Sequence, residues 1–121
     1  MLYAIFIYGP EGEVASWNEQ QHAAVVTEHT VLREKLTAQG KAGPVVRLMP
    51  TTTAVTVRKG NDPVVIDGPF AETKEQLLGL YTVDCDTLDE AIEIAKAMPW
   101  GTFEIRPVFR FFPGAALPEQ A

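Results

Sequence analysis

Two short segments of this chain are apolar on both of their alternating sides, and that restricts where they can sit in a fold. In residues 2–8 one set is Leu2, Ala4, Phe6 and Tyr8, and the other is Tyr3, Ile5 and Ile7. In residues 78–85, Leu78 and Leu80 stand against Tyr81, Val83 and Cys85. Side chains of a strand point alternately to opposite faces, so a sheet wetted on one side alternates apolar with polar residues. Strands of the present kind belong in the middle of a sheet that is covered on both sides.

The rest of the chain supplies cover for one side. A stop at Gly9-Pro10 ends the first strand, and a loop follows to about Ser16. Ser16-Trp17-Asn18-Glu19 fits a capping box, with Ser at the N-cap and Glu at N3. The helix it opens is expected to run to about Gln39, with Gly40 as its C′ residue and an apolar stripe of Val25, Leu32 and Leu36. Gly43-Pro44 introduces a second strand over residues 45–49, and the β-branched run 52–59 reads as a third. Gly60-Asn61-Asp62-Pro63 is a dense turn signal before the short returning strand Val64-Val65-Ile66. After the strand at 78–85, Thr87-Leu88-Asp89-Glu90 is a second capping box, opening a helix with the stripe Leu88, Ala91, Ile92, Ala95 and Met98. Pro99 stops it, and residues 103–109 form the last main strand.

The order is β-α-β-β-(β)-β-α-β. It predicts an α+β fold, a ferredoxin-like βαββαβ sandwich with an extra hairpin. Residues 1–110 are expected to form a single domain, and residues 111–121, rich in Pro, Gly and Ala, a mobile tail. Two helices cover only one face of such a sheet. A second copy of the same sheet is the simplest cover for the other, through an isologous two-fold contact. A large apolar patch left open on a monomer is uncommon. The expectation is a homodimer with the open faces packed together.

Charge and cysteine narrow the function classes. The net charge is −6 and is unevenly placed: residues 1–60 carry six Lys/Arg against five Asp/Glu, residues 61–121 four against eleven. Nucleic-acid binding draws its affinity from clustered cations on phosphates, and no such cluster is present, so no nucleic-acid partner is expected. No apolar run approaches the ~20 residues of a bilayer span, and no membrane association is expected. The first residues lack a basic segment and read as a strand rather than a signal peptide. A single cysteine, Cys85, leaves no internal disulfide, which points to a reducing, cytoplasmic compartment.

Few residues offer chemistry. His29 falls at the border of the stripe through Val25, Leu32 and Leu36, four residues before Arg33. A half-shielded imidazole there is a candidate general base; the plainer reading is a border histidine bonded to a carbonyl. His22 lies about 10 Å away along the same helix, too far to share a metal ion with it, and no metal site or cofactor is expected. Asp67 ends the short returning strand, beside Gly68 and Pro69. It is the best-placed acid, with an Asx-turn as its structural alternative. Glu72, Lys74 and Glu75 form a short charged run, and Phe70 is either a core plug or a stacking surface. The acids Asp84, Asp86, Asp89, Glu90 and Glu93 are explained by the positive end of the helix dipole. No glycine-rich phosphate loop, nucleophile elbow or HExxH is present.

The run Asp67-Gly68-Pro69-Phe70, continuing Ala71-Glu72-Thr73-Lys74-Glu75-Gln76, resembles the signature of the DGPF-motif proteins of the YCII-related family. The resemblance extends over residues 1–110 through Ile7-Tyr8-Gly9, His29 to Leu36, Val83-Asp84 with Leu88-Asp89-Glu90-Ala91, and Glu104-Ile105-Arg106-Pro107-Val108. It departs at Leu78-Gly79-Leu80-Tyr81, where family members often carry two glycines before the aromatic. The resemblance implies a dimeric α/β-barrel that holds a small aromatic or lactone-like molecule between helix and sheet. It also implies a His/Asp pair proposed as catalytic in some members, here His29 and Asp67. One branch is linked to dehydrochlorination of a chlorinated hydroquinone. Phe70, Glu72, Lys74, Leu78, Gly79 and Tyr81 are the substrate-binding positions that follow. Two readings result: a lyase- or isomerase-like acid–base enzyme, and a non-catalytic regulatory protein linked, as such family members are, to sigma factors of the extracytoplasmic-function type.

Overall fold

The computed structural model describes residues 1–121. The chain forms β1 (Leu2–Gly9), α1 (Glu11–Ser16), α2 (Glu19–Ala38), β2 (Ala42–Arg47), a single 3₁₀ turn (Thr51–Thr53), β3 (Val55–Arg58), β4 (Val64–Asp67), β5 (Gln76–Asp84), α3 (Leu88–Lys96) and β6 (Thr102–Pro107). β2, β5, β1 and β6 make one four-stranded sheet in that order, and β3 and β4 pair in a separate two-stranded sheet. Every strand pair is antiparallel. This is a mixed α+β domain whose topology is compatible with a ferredoxin-like sandwich, with the β3–β4 hairpin inserted between the second and third strands of the main sheet.

The strands that are apolar on both sides, β1 and β5, take the two central positions of the sheet. One set of their side chains is buried: Tyr3, Ile5 and Ile7 from β1, and Tyr81 and Val83 from β5. Leu32 and Leu36 of α2, Ala91, Ile94 and Ala95 of α3, Met98 and Cys85 complete the core, with Val45, Phe103 and Ile105 against its margin. The other set, Leu2, Ala4, Phe6, Tyr8 and Leu80, stays half-exposed on the face away from the helices. There the Arg106 guanidinium lies 5.5 Å from the centre of the Phe6 ring.

Helix boundaries follow the capping chemistry. α3 starts where expected, with Thr87 Oγ1 accepting from the Glu90 N–H and the Glu90 side chain returning to the Thr87 N–H. α2 starts later than the Ser16 capping box predicts. Asn18 is its N-cap: Asn18 Oδ1 accepts from the Gln21 N–H at 2.8 Å, and Gln21 Oε1 accepts from the Asn18 N–H at 2.9 Å. Ser16 instead ends α1, its hydroxyl donating to the Glu13 carbonyl. Trp17, with extended backbone at ψ 139°, separates the two helices. Both Ser16 and Asn18 can cap, and the packing of Trp17 edge-on against Trp100 (ring centres 5.0 Å apart) selects the second. Gly40 closes α2 as expected, at φ +69°, with the Lys41 N–H returning to the Leu36 carbonyl.

β5 carries an irregularity that shapes what lies above it. Ile7 pairs with Gly79 and Tyr8 with Leu77, so Leu78 is an extra residue on its strand. Gly79 is required there for space: a Cβ would stand 2.4 Å from the Val46 carbonyl oxygen of the neighbouring β2. At Gly9 a Cβ would meet the Trp100 ring at 2.4 Å, so that glycine forms the seat of the indole.

Candidate functional site

A cavity of about 770 Å³ opens between α1, α2 and the β2–β5 side of the sheet. α2 contributes His22, Val25, Val26, His29 and Arg33, residues spaced three and four apart and therefore on one helical face. The sheet contributes Ile7, Val45, Arg47, Leu78, Gly79 and Tyr81. Trp17 and Trp100 close one end, and the segment from Leu48 to Pro50 lies along another. Most of the lining is apolar, with a few convergent polar groups, which is the composition typical of small-molecule sites.

The polar groups are arranged around His29. Its Nδ1 is 2.6 Å from the hydroxyl oxygen of Tyr81, and the two rings are 5.7 Å apart and tilted. This hydrogen bond joins the middle of α2 to the middle of β5. Burial lowers the pKa of His29 below its ordinary 6.5, and the positive charges of Arg33 and Arg47 lower it further. Burial pushes the Tyr81 hydroxyl up, with Arg33 acting against that shift. The pair is therefore a neutral imidazole and a neutral phenol near pH 7. Nearby, an Arg47 guanidinium nitrogen sits 3.0 Å from His22 Nε2. A guanidinium can only donate, so His22 Nε2 is the acceptor in this contact. Glu11 is the cavity's one carboxylate, and both of its oxygens are engaged, accepting from the Thr51 N–H and the Thr51 hydroxyl at 2.7 Å each. The Glu11 N–H in turn donates to Gln76 Oε1 at 2.9 Å, fastening the start of α1 to β5.

Of the residues singled out in the sequence, His29, Leu78, Gly79 and Tyr81 meet in this cavity. Asp67, Phe70, Glu72 and Lys74 do not line it. Asp67 is exposed at the end of β4, opposite Val55 in the hairpin. The expected Asx-turn is not what holds this turn: the Gly68 N–H donates to the Ala54 carbonyl and the Thr56 hydroxyl to the Gly68 carbonyl, each at 2.7 Å. Gly68, at φ +98°, supplies the left-handed backbone. Phe70 is 80% exposed, neither a core plug nor part of the cavity. Within the chain the hydrogen-bond partner of His29 is Tyr81. Arg33, Arg47, Trp17 and Trp100 were not legible as site residues. Arg33, one turn after His29 on the same face, was the one visible signal.

A mixed α+β domain with a ferredoxin-like strand order and a lined cavity between helix and sheet is the class that fold and site define. The model of the YCII-related domain matches residues 1–112. An uncharacterised protein of Rhizobium meliloti (strain 1021) is 42% identical over 120 residues, covering 94% of this chain and 97% of that protein. The chain belongs to the YCII-related family.

The lowered pKa of His29 has a consequence for folding. The unfolded chain takes up a proton near pH 6.5, where folded His29 still resists it, so the unfolded state binds more protons in that window. Stability should fall as pH is lowered from 7.5 through 6.5, and denaturant midpoints for the His29→Gln variant should fall less steeply over the same range. Parallel slopes for the two proteins would contradict this assignment.

Proposed function

We propose that this protein binds a small, largely apolar molecule in the cavity between α2 and the main sheet, and that His29 with Tyr81 moves a proton on it. The observation that carries the reading is the 2.6 Å contact between His29 Nδ1 and the Tyr81 hydroxyl inside an apolar cavity. Nε2 is the ring nitrogen left without a partner in the chain. When the Tyr81 hydroxyl donates to Nδ1, Nε2 carries the ring's one proton and serves only as a hydrogen-bond donor. When Nδ1 carries the proton and donates to Tyr81, Nε2 is a base. With the ring proton on Nδ1 and held by Tyr81, Nε2 takes a proton from the carbon beside a carbonyl to give an imidazolium. The same Nε2–H then returns a proton to the substrate, the chemistry of an isomerase. Asp67 takes no part in this scheme.

The occupied cavity has its own reporters. Trp17 and Trp100 are the chain's two tryptophans, and both line it. Indanone, a neutral aromatic ketone with exchangeable α-protons, is a suitable probe. It should change tryptophan emission saturably, and the change should be lost in Val25→Phe, which fills the space. Deuterium wash-in at its α-carbon in deuterium oxide, followed by NMR, should be accelerated by the protein and slowed about 10²-fold or more by His29→Gln. An emission change that survives Val25→Phe would remove the cavity from the account, and unchanged wash-in in His29→Gln would remove the proton transfer.

The same reading includes a homodimer. Only 14 of 121 residues are buried in one chain. The half-exposed face of β1 and β5 and the exposed Val55, Val57, Val65 and Ile66 of the hairpin are apolar surface that a second copy would cover. Sedimentation equilibrium at micromolar concentration should give twice the 13.3 kDa chain mass; a single-chain mass would sink the dimer.

A further inference from the structure

Four ion pairs form in the chain: the N-terminus with Asp84, Lys41 with Glu90, Lys96 with Glu93, and Arg106 with Glu104. Neither arginine of the cavity is among them. Arg33 is half-buried, and its side-chain partners are hydroxyls rather than carboxylates: Thr30 at 3.2 Å, and Tyr81, whose pKa it acts to lower. It also borders a shallow cleft with Glu34 and Glu119 but pairs with neither. Arg47, exposed on the facing strand, has its side-chain hydrogen bond to His22 Nε2 and none to a carboxylate. Three of the ten Lys/Arg side chains form ion pairs, so lacking a carboxylate is not itself unusual. What sets Arg33 and Arg47 apart is that both line the same largely apolar cavity. Glu11 offers them no compensation, because its oxygens are bonded to Thr51.

Two unpaired cations flanking a largely apolar space describe the complement of a particular kind of molecule. We propose that the cavity selects a small organic anion, a carboxylate on an aromatic or compact apolar body. Arg33 and Arg47 hold the charged group from opposite walls, and Val25, Val45, Leu78, Trp17 and Trp100 enclose the rest. Guanidinium is suited to this role because its planar fork can donate two hydrogen bonds to one carboxylate. The inference rests on the reading that the cavity binds a small molecule, and it adds the chemical class of that molecule.

The arrangement couples binding to the proton on His29. The charged and titratable groups lining the cavity around that ring are Arg33 and His22 from α2, Arg47 from β2, Tyr81 from β5 and Glu11 from α1. Arg33 and Arg47 both disfavour the imidazolium. A carboxylate seated between them offsets their field, so His29 becomes more basic when the anion is present. Below its ordinary value of 6.5 the complex should therefore take up protons that the free protein does not hold.

Calorimetric titration of the full chain with naphthoate and with naphthamide, its neutral isostere, separates the alternatives. Naphthoate should bind about tenfold or more tighter, the ratio expected for charge-assisted hydrogen bonds. The advantage should shrink in Arg33→Gln and in Arg47→Gln, with unchanged circular dichroism confirming that the variants fold. At pH 6, the heat of naphthoate binding should differ between buffers of high and low ionisation enthalpy, in the direction of proton uptake. Equal affinity for the two compounds would overturn the anion inference and leave the cavity reading standing. Binding by neither naphthoate, naphthamide nor indanone would overturn both.

Discussion

Two helices covering one face of a four-stranded sheet is the constraint from which the rest of this structure follows. The sheet's central strands are apolar on both sides, so the helix-facing set of Tyr3, Ile5, Tyr81 and Val83 forms the core. Burial of side chains of this size contributes about 1.5–3 kcal/mol each for the larger aliphatics, before the entropy of ordering them is subtracted. The opposite set faces away from the helices, where Phe6, Tyr8 and Leu80 stay half-exposed and Arg106 lies over Phe6. The separate hairpin β3–β4 also exposes Val55, Val57, Val65 and Ile66. An isolated two-stranded sheet is marginal in water, and the outward valines of this one have no core of their own.

The cavity has the same origin. α2 packs closely through Leu32 and Leu36 at its C-terminal half and carries His22, Val25 and His29 on the matching face toward its N-terminus. There the space between helix and sheet is spanned by the His29–Tyr81 hydrogen bond and lined by His22, Arg33 and Arg47 rather than filled. The extra residue at Leu78 and the Trp100 ring seated on Gly9 complete the walls. Burial of the His29 ring is the largest cause of its lowered pKa, and the charges of half-buried Arg33 and exposed Arg47 act in the same direction.

Much of the architecture was legible in the sequence because it is written locally. Periodicity and turn residues gave the strands and their order, and Thr87 with Glu90 gave the start of α3. The start of α2 was misplaced because Ser16 and Asn18 are both competent caps, and the choice is made by Trp17 packing on a residue more than 80 positions away. The site was legible by halves for the same reason. His29 could be placed at the edge of a buried stripe, and Tyr81 on a central strand, but their meeting across 52 positions is a tertiary fact. Asp67 drew attention through its turn chemistry, and the structure uses that turn to close a hairpin through backbone bonds and Gly68. Arg47 and the tryptophans carried no local pattern at all.

The account stands on a neutral imidazole held by Tyr81 inside the cavity. An NMR pH titration of the His29 ring nitrogens tests that directly, with Tyr81→Phe as the comparison. The expected result is a His29 midpoint below 6.5 and an Nδ1 resonance that shifts when the Tyr81 hydroxyl is removed. A midpoint at or above 6.5, with an Nδ1 resonance indifferent to Tyr81, would contradict it.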